Sequence, residues 1–105
     1  MSEEKQYTPL PVTGYRTLSQ TEVDLMNRIK DHEAATLALV REVVEHANTQ
    51  NTRASLDEKN STGDARREIK RFTNAEPMRW ASIARTDFQT GYMALVRAVA
   101  QPVTP

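Results

Sequence analysis

The sequence contains no cysteine and only 3 glycines in 105 residues. Lack of cysteine removes disulfides, zinc–thiolate centres and thiol nucleophiles. Scarcity of glycine, with the 5 prolines placed mostly towards the ends, leaves the interior almost free of helix breakers. Net charge is lacking too: Lys plus Arg number 14 and Asp plus Glu number 14. A neutral chain has no overall field to draw it to DNA or RNA. There is no apolar run of membrane length and no charged-then-apolar leader, so the expectation is a cytoplasmic protein with no membrane partner. Three catalytic signatures are also missing: G-x-x-x-x-G-K-[ST], G-x-S-x-G and H-E-x-x-H. No catalytic residue, metal or cofactor is therefore expected. His32 and His46 lie about 21 Å apart along one helix and cannot share a metal within a subunit. Glu42 and His46, at i and i+4, read as a solvent-exposed pair.

What remains is rich in Ala, Leu, Glu, Arg and Val, a helical composition, and the expected fold class is all-α. Residues 1–14, MSEEKQYTPLPVTG, hold two prolines and a glycine and read as an extended arm. Ser19 and Glu22 then form an S-x-x-E capping box, with Leu18 and Val23 placed as a hydrophobic staple. Val23, Met26, Ile29, Leu37, Val40, Val44 and Ala47 recur at helical spacing, which predicts a helix over about 19–47. Residues 48–63, NTQNTRASLDEKNSTG, read as a polar connector, the first part of a longer link over 48–76. Asp64 can cap a short charged helix over 64–74, and a last helix runs from Pro77 to about Ala100, stopped by Pro102. The expected organisation is an arm over 1–14 and a single helical-hairpin domain over 15–105.

The last helix changes character along its length. From Tyr92 to Ala100, YMALVRAVA, only Arg97 is charged, so its apolar surface goes nearly all the way round. One neighbouring helix cannot cover it, and partners from other copies are expected, making a homo-oligomeric bundle. Gly91, costing about 1 kcal/mol relative to Ala inside a helix, fits close approach of another backbone.

Two places could hold an anion. Gly14, Tyr15 and Arg16 stand just before the first helix, offering an aromatic face, a guanidinium and a helix N-terminus. Lys30 is about 16 Å further along, so Tyr15 of one subunit facing Lys30 of another is the easier geometry. On the last helix Arg79, Thr86, Thr90 and Arg97 lie near one another by wheel position, and Arg85 shares an arc with Ser82 and Gln89. These arginines need carboxylates or phosphates, and both readings stand. The run Arg66, Arg67, Lys70, Arg71 is interleaved with Asp64 and Glu68 and reads as a solvated face.

The strings GYRTLSQTEVDLMNRIK and RWASIARTDFQTGYMALVRAVAQP together resemble the phage anti-CBASS sponges, which bind cyclic oligonucleotides and share their hairpin domain with the Thoeris anti-defence sponges. The resemblance implies a homohexamer that sequesters cyclic di- and trinucleotide immune signals in the cytoplasm of the infected bacterial host. It assigns Tyr15, Arg16, Lys30 and Gly14 to a dinucleotide pocket shared between subunits. It carries Arg16, Arg79, Arg85, Thr86 and Gln89 to a trinucleotide pocket near the helix-hairpin junctions. The long connector and the arm depart from a minimal hairpin. The arm is too short for the β-structured domain of the Thoeris sponges, whose cyclic ADP-ribose-type signals are the alternative ligand. A structural or adaptor oligomer with no small ligand, and a phosphodiesterase, are the rival readings.

Overall fold

A computed structural model describes residues 16–58 and 63–102, so the arm, Gly14 and Tyr15 fall outside the described residues. Three helices account for almost all of it: α1 (Gln20–Glu58), α2 (Gly63–Ala75) and α3 (Pro77–Ala100), with no strand among the described residues. The all-α expectation holds.

Helix α1 begins on the reciprocal cap its sequence encodes. The Ser19 amide donates to Glu22 Oε1 at 2.8 Å, the Glu22 amide donates to Ser19 Oγ at 3.2 Å, and the first helical bond runs from Val23 N to Ser19 O. The expected end near residue 47 is wrong: α1 continues through the presumed connector to Glu58. Val40, Ala47 and Ala54, spaced by seven, are all buried. That seam carries the helix through a stretch whose Asn and Thr residues are weak helix formers, and the Thr49 hydroxyl bonds back to the Glu45 carbonyl at 3.0 Å. Packing overrides propensity here.

The chain divides into two compact units, one joining residues up to Ala34 with those from Gln89 onward, the other spanning Ala35–Phe88. Among the described residues the buried apolar side chains are five, Val40, Ala47, Ala54, Ala65 of α2 and Ala81 of α3, and all belong to the second unit. Four of the five are alanines, so the helices approach closely but enclose little apolar area. The first unit has no fully buried side chain among its described residues. Val23, Met26, Ile29, Tyr92, Val96 and Val99 are half-buried there. Large apolar side chains stay exposed in both, including Leu39 at 59%, Trp80 at 58% and Met93 at 62%.

Glu76 joins α2 to α3. It adopts φ 51°, its amide donates to the Phe72 and Thr73 carbonyls, and its own carbonyl accepts from Arg79 N and Trp80 N. One residue therefore closes α2 and opens α3, with Pro77 filling a first-turn position that needs no N–H donor. Left-handed backbone costs a residue bearing a Cβ about 1 kcal/mol. Glu76→Gly is expected to raise stability by up to about that amount, read as a higher denaturant midpoint at unchanged slope.

Candidate functional site

Arg16 sits where the start of α1 meets the end of α3. Its guanidinium forks onto Glu22, with Nη1 to Oε1 at 3.2 Å and Nη2 to Oε2 at 2.7 Å, and Nη2 also donates to the Val99 carbonyl at 2.8 Å. The same end of α3 is closed by Gln101 at φ 49°, whose amide donates to Arg97 O and whose Nε2 donates to Ala98 O. Three successive carbonyls that the helix would leave without a partner are thus satisfied, by Gln101 twice and by Arg16 once. The Arg16 bonds, then those from Ser19, hold the Glu22 carboxyl at a pKa of about 2, and Glu22 in turn raises that of Arg16.

Arg16 is therefore already bonded within the chain. Lys30, by contrast, is exposed on α1, and its side chain has no hydrogen bond or ion pair among the described residues. Its expected companions Tyr15 and Gly14 fall outside the described residues. Of the residues assigned to a trinucleotide pocket, Arg79 pairs with Glu76 at 3.6 Å and lies 5.0 Å from the Trp80 ring centre. Arg85, Thr86 and Gln89 are exposed. Arg79 and Thr86, seven apart, share one line of α3; Arg85 and Gln89, four apart, share another about 90° away. Arg79, Arg85 and Thr86 lie in the second unit and Arg16 and Gln89 in the first.

Each unit also carries a cleft. In the first, Leu25, Arg28, Ile29 and His32 of α1 face Tyr92 and Leu95 of α3 around ≈ 340 Å³. In the second, Val40, Arg41, Val44 and Glu45 of α1 face Ala81, Ser82 and Arg85 of α3 around ≈ 220 Å³. Nothing in the sequence marks Arg41 as a cleft residue, because the other wall of that cleft comes from a helix some forty positions away. Among the described residues no group of three or more His, Asp or Glu could hold a metal ion, and no helix is long and apolar enough to cross a membrane.

Residues 8–100 match the family described as Acb2/Tad1, hairpin domain. The chain is also 43% identical over 103 residues to Anti-CBASS protein 2 of Pseudomonas phage JBD67, the match covering 87% of this chain and 91% of that one.

The matched span includes the Arg16–Glu22 clamp, which can be tested on its own. Folding lowers the Glu22 pKa from 4.5 to about 2, so its carboxylate stabilises the fold above about pH 4.5 and loses that effect as pH falls towards 2. Glu22→Gln is expected to lower the melting temperature at neutral pH and to flatten its decline between pH 4.5 and 2. An unchanged acid limb would remove Glu22 as its source.

Proposed function

The chain belongs to the Acb2/Tad1 hairpin-domain family, and from that premise we propose that it blocks CBASS signalling in phage-infected bacteria by sequestering cyclic di- and trinucleotides without cleaving them. The observation that carries this reading is the identity to a phage Anti-CBASS protein along nearly the whole of both chains. A sponge of this kind needs no catalytic group. It must hold the messenger with a dissociation constant below the concentration that switches on the host effector, which places its work in the host cytoplasm.

The exposed apolar side chains support a homo-oligomer, a hexamer by family resemblance. Leu25, Leu39, Val43, Leu56, Trp80, Phe88, Met93 and Leu95 are all exposed in the single chain, too many for a soluble protein to leave in water. Gly91 points the same way, since a Cβ added there meets nothing within 4 Å in its own chain. In the assembly, Tyr15 of one copy stacks on a base while Lys30 of another neutralises phosphate. Arg16, tied to Glu22 and Val99, anchors the chain entering α1.

Thermal-shift and calorimetric titration with cyclic di-AMP, cyclic tri-AMP and glycocyclic ADP-ribose tests the reading. Binding is expected, with the ligand recovered intact after denaturation. Tyr15→Ala and Lys30→Ala are each expected to weaken cyclic di-AMP by about tenfold or more. Cleaved ligand would make the protein a phosphodiesterase, preference for glycocyclic ADP-ribose would move it to Thoeris signalling, and no shift with any of the three would leave a structural oligomer. Gly91→Ala, which should favour an isolated helix by about 1 kcal/mol, is instead expected to weaken the assembly, seen as lost mass in light scattering.

A further inference from the structure

On α3 the exposed apolar residues fall into line. Trp80, Ala84, Phe88, Gly91, Leu95 and Ala98 occupy one arc of about 80°, and all but the half-buried Ala84 are exposed. From Ala84 onward they are spaced four, three, four and three, the interval of a coiled-coil seam. Asp87 borders the arc, while Arg79, Arg85 and Arg97 lie at least about 60° outside it. Residue size alternates along the seam: Ala84, Gly91 and Ala98 leave holes, and Phe88 and Leu95 are knobs. A Cβ added at Gly91 would meet nothing within 4 Å, so the hole there is open. Helix α1 offers no such seam, because its exposed Leu25 and Leu39 alternate at intervals of seven with His32 and His46.

We propose that α3 pairs antiparallel with α3 of a second copy, with Phe88 of each chain seated on Gly91 of the other and Leu95 of each on Ala84 of the other. This rests on the homo-oligomer proposed above and adds the face, the direction and the register. Direction follows from size. A parallel pair would set Phe88 against Phe88 and Gly91 against Gly91, and layers so unequal do not fit one interaxial distance. An antiparallel pair sets a large residue over a small one in each of these layers, and a two-fold axis makes the one face complementary to itself. Register follows from length as well as size. With Phe88 over Gly91, residues 79–100 of the two helices overlap along about 33 Å, and the larger knob meets the residue that has no side chain. A shift of one heptad in either direction shortens the overlap and moves Phe88 onto an alanine.

The absence of cysteine opens this seam to a disulfide test. Full-length Ala84→Cys and Leu95→Cys chains, mixed and oxidised, are expected to give a covalent dimer joining position 84 of one to position 95 of the other, because residues that face across a close pair come within the Cα separation a disulfide spans. Neither variant should cross-link with itself. Gly91→Leu should weaken the assembly by about tenfold or more, read as mass lost on dilution in light scattering. Adding Phe88→Ala to that chain should restore the mass, since it exchanges knob and hole; a merely destabilised helix would lose more. Self-linkage of either cysteine variant would show another pairing and overturn the seam. If the assembly keeps its mass and the mixed chains form no disulfide, the seam is overturned while the homo-oligomer stands. A monomeric wild-type protein would overturn both.

Discussion

The clamp of Arg16 on Glu22 and on the Val99 carbonyl is the contact on which the first unit depends. That unit has no fully buried side chain among its described residues, so apolar packing alone fixes its two helical segments weakly. A guanidinium is suited to the task because its fixed fork can bond the carboxylate on two oxygens while another N–H reaches the carbonyl. Glu22 is shared as well: it caps α1 through Ser19 and orients Arg16, so one carboxylate ties the local start of a helix to the distant end of another. The clamp lies next to Tyr15 in sequence.

The second unit is held differently. Its seam is made of small side chains, Ala47, Ala54, Ala65 and Ala81 with Val40, which let helices come close but remove little apolar surface from water. Larger apolar groups point elsewhere, Trp80 and Phe88 on α3 and Leu39, Val43 and Leu56 on α1 among them. A hairpin that packs its alanines inward and leaves several leucines and aromatics outward keeps much of its hydrophobic driving force on surfaces its own chain does not cover. The proposed assembly is then a condition of stability as well as of function, and the stability of the protein should depend on its concentration.

Features set by neighbours in the chain were legible in the sequence. The Ser19 and Glu22 box, the Pro77 start and the end near Ala100 all rest on contacts within a few residues, and each stands where its residues predict. Features set by distant contacts were not. The run from Asn48 to Glu58 looks like a connector by composition and is helical because Ala54 continues a buried seam. Glu76 and Gln101 take left-handed backbone that Gly or Asn would have signalled, and nothing local announces it. Arg16 was read as a free cation because Glu22 had been given wholly to the cap. Arg41 was missed for the complementary reason, since only α3 gives it a cleft.

If the proposed pockets form where copies meet, binding and assembly are linked and must act reciprocally: a messenger that holds two subunits together tightens the oligomer, and the oligomer raises affinity for the messenger. This suits a sponge. At low messenger the sites fill little; as an immune cyclase produces more, each bound molecule stabilises the state that binds the next. A ligand held between Tyr15 and Lys30 of two copies would be released as dilution dissociates the oligomer, so the concentration dependence of binding tests the shared pocket without any substitution.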